Sequence, residues 1–140
     1  MNEPAGYSDT PLEEDPAVKL GVKHDSRVLL VAAPPGFDLP DVPSGAIVHR
    51  RAGGSSYDVV VAFCPDAQRL QARLKAQVPR LTTAGALWLA WPKRASGVHT
   101  DLDENVVREA GLRAGLVDVK VAAIDPTWAA LKFVRRLRDR

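Results

Sequence analysis

The chain has one cysteine, one methionine and three histidines. A single thiol, Cys64, can close no intrachain disulfide, so a reducing, cytoplasmic setting is expected. His24, His49 and His99 stand far apart without metal-ligand spacing, so no metal is expected. No run of about 18 apolar residues is present, so no membrane span is expected. The start is acidic (Glu3, Asp9, Glu13, Glu14, Asp15) and lacks the apolar core of a signal peptide. There is no CxxC pair, no Walker loop, no Ser-His-Asp ordering and no paired glutamates in a catalytic context. These absences weaken an enzyme assignment without removing it.

What is present is an ordinary globular composition: 46% apolar and 26% charged residues in 140, which together make one domain. Residues 1–9 read as a lead-in and 10–140 as a single α/β domain. A net charge of +2 gives no case for bulk nucleic-acid binding. The last nine residues concentrate Lys132, Arg135, Arg136, Arg138 and Arg140 against Asp139. Such a tail either meets an acidic partner or ends a solvated strand.

Thr10-Pro11-Leu12-Glu13 is a capping box, and Asp15-Pro16 offers a competing helix start; one short helix ending near Gly21 is expected. Arg27–Ala33, Tyr57–Cys64 and Ala86–Trp91 are apolar runs of strand length without alternation. That pattern suits strands covered on both faces in a parallel sheet. Ala46–Arg50 is a short strand, and Pro34–Pro43 is mostly loop. Pro65-Asp66 opens a helix with the stripe Ala67, Leu70, Leu74, Val78 and Leu81. Ala84-Gly85 reads as a turn. Thr100 or Asp101 caps a helix over Leu102–Ala114, with Leu102, Val106 and Ala110 as its stripe and Gly115 as its stop. Val117–Ile124 alternates, with Asp118 and Lys120 on one face. Asp125-Pro126-Thr127 turns the chain into a last strand, Trp128–Leu137. Strands and helices in this succession imply a three-layer, Rossmann-like α/β fold, its mainly parallel sheet ending in an antiparallel hairpin.

In an open α/β sheet a ligand sits beyond the carboxyl ends of the strands. Those ends carry Pro35, Gly36, Phe37, Asp66 and Trp91, and the loop from Trp91 to Leu102. That loop gathers Lys93, Arg94, Ser96, Gly97, His99 and Thr100 before a helix start whose N–H groups favour an anion. It is a candidate anion site; the alternative is a loop whose polar groups satisfy one another. Cys64 precedes a helix start that would lower its pKa, or else it is a small core residue. Trp88 and Trp91 have odd separation and face opposite sides of their strand. Trp128 packs on the hairpin or anchors a partner.

The strand at Tyr57–Phe63, the approach Leu81-Thr82-Thr83-Ala84-Gly85-Ala86-Leu87, the following helix and the closing hairpin resemble the second half of a class I methyltransferase fold over residues 57–137. The resemblance implies a glycine-rich turn and a helix after the first strand to hold S-adenosylmethionine, and an acidic residue near the end of the second for its ribose. At those places stand Ala32-Ala33-Pro34-Pro35-Gly36-Phe37 and His49-Arg50-Arg51.

A closer similarity is to a small, mostly actinobacterial family that carries a domain of unknown function. It rests on Ala5-Gly6-Tyr7-Ser8, Thr10-Pro11-Leu12, Lys19-Leu20-Gly21-Val22-Lys23, Trp91–Val98, Thr100-Asp101-Leu102, Gly115–Asp118, Lys120-Val121, Ala123-Ile124-Asp125, Thr127-Trp128 and Phe133-Val134. The acidic stretch Glu13–Asp15 departs from that pattern. The family implies no catalytic residues and no cofactor. The expected function is a non-catalytic binding module for a small anionic or nucleotide-like ligand or a protein partner. The alternatives are a methyltransferase with an atypical cofactor loop and a pure protein-interaction subunit.

Overall fold

The computed structural model describes residues 15–54 and 56–140. The expected capping box and lead-in lie outside them. The second helix start is used: α1 (Pro16–Lys19) follows Asp15, with Pro16 at its first position, and Gly21 turns the chain away at φ 81°. Then come β1 (Arg27–Val31), β2 (Ile47–His49), β3 (Tyr57–Phe63), α2 (Ala67–Gln77), β4 (Leu81–Pro92), α3 (Glu104–Arg113), β5 (Leu116–Ala123) and β6 (Trp128–Arg135).

The strands form one sheet in the order β2-β1-β3-β4-β6-β5. The first four are mutually parallel. β6 runs antiparallel to β4 and β5 antiparallel to β6, which makes the closing hairpin. The non-alternating runs are the sheet's centre. Val60, Val61, Ala62, Leu87, Trp88 and Leu89 are fully buried. Each large apolar side chain so placed contributes about 1.5–3 kcal/mol.

Two apolar layers sandwich the sheet. On one face Leu70 and Leu74 of α2 and Val107 and Ala110 of α3 pack on Leu29, Val60, Leu87, Leu131 and Phe133. On the other, Ala17, Leu20, Val22 and Leu39 pack on Val28, Leu30, Val61, Phe63 and Trp88. This second outer layer is thin: one turn of helix and the coil between β1 and β2. Trp88 and Trp91 point into opposite layers, as their odd separation requires.

Five local expectations are corrected. Ala84-Gly85 lies inside β4 as an irregularity, since Tyr57 pairs with Leu81 but Val59 with Ala86. Asp103, rather than Thr100 or Asp101, caps α3 by accepting from the Val106 N–H at 2.9 Å. Counted from that start, the buried stripe is Val107, Ala110 and Gly111, while Val106 is exposed. In β5, Asp118 pairs with Phe133 and Lys120 with Lys132. The extra residue, Val119, puts Asp118 and Lys120 on opposite faces of the sheet. The last strand stops at Arg135 and a 3₁₀ turn, Leu137–Asp139, follows.

Candidate functional site

Strand order reverses between β1 and β3, so the crevice beyond their carboxyl ends is where a ligand is expected. β1 leads into Ala32, which holds a left-handed φ of 56°. A tight turn follows, closed by the Phe37 N–H donating to the Pro34 carbonyl at 3.0 Å. Pro34 and Pro35 carry no backbone N–H to offer a ligand. The Phe37 ring meets Phe63, the last residue of β3, edge-on at 5.0 Å. Phe63 in turn meets Trp128 edge-on at 5.2 Å. The three rings close the carboxyl end of β3 on the thin-layer side.

A shallow cavity of about 470 Å³ opens against them, lined by Pro35, Gly36, Phe37, Asp38, Asp125 and Trp128 among others. The predicted rim residues Pro35, Gly36 and Phe37 therefore come together. Asp66 and Trp91 do not join them. Trp91 is 5% exposed and packs in the layer of α2 and α3. Asp66 caps α2 by accepting from the Arg69 N–H at 2.9 Å, and it pairs with the Arg69 guanidinium at 2.7 Å. Trp128 was legible only as an aromatic at a strand start. Its partners Phe37 and Phe63 lie too far off in sequence for any local signal.

The loop after β4 is tied in by its own polar groups. Lys93 N–H donates to the Thr127 carbonyl at 2.7 Å. The Ser96 hydroxyl donates to the Lys93 carbonyl at 2.6 Å and accepts from the Val98 N–H at 3.1 Å. The Thr100 hydroxyl donates to the Pro65 carbonyl at 2.8 Å and accepts from the Leu102 N–H at 3.2 Å. Gly97 takes the left-handed conformation, φ 78°, that ends the 3₁₀ turn Arg94–Ser96. Asp101 accepts the Ala67 N–H of α2 at 2.9 Å. The helix N–H groups expected to stand open thus already meet three carboxylates: Asp66 and Asp101 on α2, and Asp103 on α3. What the loop presents outward is Lys93, Arg94 and His99, and no ion pair involves them among the described residues.

Cys64 is fully buried, and burial pushes its thiol up to about 12, against the lowering effect of Arg73. The core reading of this residue stands. His49 is held by the Tyr57 hydroxyl at 2.6 Å, and that hydroxyl also accepts the Gly53 N–H at 2.8 Å. Arg50 reaches the Phe37 carbonyl and lies 3.7 Å from Asp38. No group of three His, Cys, Asp or Glu among the described residues could hold a metal ion. No described helix is long and apolar enough to cross a membrane.

No family model matches the chain, and no curated protein matches it. Solved structures do. The Methanococcus jannaschii fibrillarin pre-rRNA processing protein superposes with a TM-score of 0.59 at 16% identity, over 86% of this chain and 73% of that one. A SAM-dependent methyltransferase from Aquifex aeolicus gives 0.58 at 11% identity, over 85% and 88%. The ribosomal protein L11 methylase of Lactobacillus delbrueckii subsp. bulgaricus gives 0.56 at 12%, over 86% and 75%. Identities this low carry the architecture alone: the chain has a methyltransferase-like, Rossmann-type α/β fold.

Proposed function

We propose that this domain works at the carboxyl rim of its sheet as a ligand-binding module rather than as a methyl-transfer enzyme. The observation that carries this reading is the Pro34–Phe37 turn. S-adenosylmethionine needs backbone donors and a helix start after β1. Here two prolines remove donors, no helix follows, and the Phe37 ring lies against Phe63. The end of β2 offers His49 and Arg50, the first held by Tyr57, where a ribose would call for a carboxylate. The cofactor does not fit these residues. The ligand class suggested by the outward Lys93 and Arg94 is a small anion or a nucleotide-like molecule.

The second reading is a methyltransferase with an atypical cofactor loop. The comparisons favour it over the binding module, because structures that superpose on the chain include a SAM-dependent methyltransferase and a ribosomal protein L11 methylase. Fold likeness and rim chemistry point apart, and function resides in the site rather than the fold. Calorimetry with S-adenosylmethionine separates the two. The binding-module reading expects no dissociation constant below about 100 μM, or about −5.5 kcal/mol. A tighter value would overturn it.

A further inference from the structure

The thin-layer face carries another constellation, at the opposite end of the strands from the rim. Trp88 of β4 pairs directly with Lys132 of β6, and Lys132 pairs directly with Lys120 of β5. The three side chains make one row across the sheet. The Lys132 ammonium lies 6.0 Å from the centre of the Trp88 ring. Trp88 itself is fully buried and donates its indole N–H to the Leu20 carbonyl at 2.9 Å.

The bulge at Val119 makes this row basic. Without the extra residue, Val119 would stand opposite Lys132. With it, Lys120 takes that place. Like charges directly opposite each other in a ladder are destabilising, and bulges serve to re-aim side chains. Lys23 adds a third ammonium from the segment after α1. Between that segment and the row lies a cavity of about 360 Å³, lined by Gly21, Lys23, Asp58 and Lys132 among others. Gly21 has no side chain to fill it, and a Cβ there would lie 3.7 Å from the Lys132 ammonium.

The cavity wall also carries two carboxylates, each with a partner of its own. Asp25 lies 3.1 Å from His24. Asp58 accepts from the Arg27 N–H at 2.8 Å and from the Thr82 hydroxyl at 3.4 Å. No ion pair joins Lys23, Lys120 or Lys132 to a carboxylate among the described residues. We propose that this cavity binds a small phosphate-bearing anion through the ammonium groups of Lys23 and Lys132 on its wall, with Lys120, opposite Lys132 in the ladder, adding charge from beside it. Three separate point charges on flexible stems suit an oxyanion with several charged oxygens, and the cavity has room for a group of pyrophosphate size. Burial first, then Lys120 and Lys23, hold the Lys132 ammonium below its usual pKa, a cost that a bound anion would reverse. The site is independent of the rim.

Thermal denaturation of the full chain with added inorganic pyrophosphate, at low ionic strength, tests this. The wild type should be stabilised, and Lys120→Gln and Lys132→Gln should each weaken the response by about tenfold or more in apparent affinity. In a Lys93→Ala, Arg94→Ala background, which removes the rim cations, adding Lys120→Gln should weaken the remaining pyrophosphate response in the same way. Lys120 is exposed, so Lys120→Gln keeps the test open if Lys132→Gln fails to fold. That variant should also be more stable than the wild type without pyrophosphate. No stabilisation of the wild type, or equal stabilisation of Lys120→Gln, overturns the proposal.

Discussion

Gly111 of α3 lies so close to the ring of Phe133 on β6 that a Cβ built on the glycine would clash with three of the ring carbons. The absence of a side chain here sets how near the helix approaches the sheet. Phe133 is fully buried and has nowhere to move. Gly111→Ala would gain about 1 kcal/mol of helix preference, but overpacking costs about 1–3 kcal/mol. The expected outcome is a lower urea midpoint; a midpoint equal to or above the wild type would show that α3 can slide outward.

Arg108 links α3 to β5, bonding Asp118 at 2.9 Å and Glu104 at 2.6 Å. The guanidinium holds the Asp118 carboxyl below its usual range, against the opposing effect of burial. A folded-state pKa below the unfolded value of about 3.9 gives stability that is present above that value and lost as pH falls through the folded pKa. Both side chains are partly exposed, so solvent screening keeps the contribution of the bridge small. Asp118→Asn should therefore lower stability at pH 7, and the gap should close in acid. A gap unchanged between pH 7 and strong acid would mean that the charge contributes nothing.

Cys64, with its thiol pushed up to about 12 by burial, should resist a thiol reagent at pH 8 in the folded protein and react once unfolded. Stoichiometric labelling of the native chain, with its fold intact by circular dichroism, would contradict this.

Phosphate, sulfate and nucleotides should stabilise the wild type more than the Lys93→Ala, Arg94→Ala variant if the rim loop holds an anion. Its helix N–H groups already face carboxylates, so the two cations must supply most of the affinity. Equal stabilisation of both proteins would place the anion elsewhere.

The central strands were legible because Val28–Leu30, Val59–Phe63 and Leu87–Leu89 carry no polar alternation, which only a doubly covered sheet tolerates. The opposed Trp88 and Trp91 followed from spacing alone. The start of α3 did not, because Thr100, Asp101 and Asp103 are all competent caps. Long-range bonds decide among them: Thr100 is drawn to Pro65 and Asp101 to Ala67, which leaves Asp103. The bulge at Val119 is invisible for a related reason, since Val117, Val119 and Val121 alternate equally well with or without a slip. At the rim, the segments that end the strands were identifiable from topology. The use of their hydroxyls was not, because the carbonyl that Thr100 binds belongs to a distant turn.

β4, which carries the longest buried run of any strand, is flanked by β3 and β6. Its second neighbour is the last strand of the sheet. On the ribosome, Leu87–Leu89 therefore wait with one edge unpaired while residues 93–135 are made, several seconds at about 5–20 residues per second. An apolar strand with an open edge is a template for a neighbouring chain. The hazard for this protein falls during synthesis, in the interval before β6 arrives, and a change that delays the hairpin would show first as lost yield rather than as a less stable purified protein.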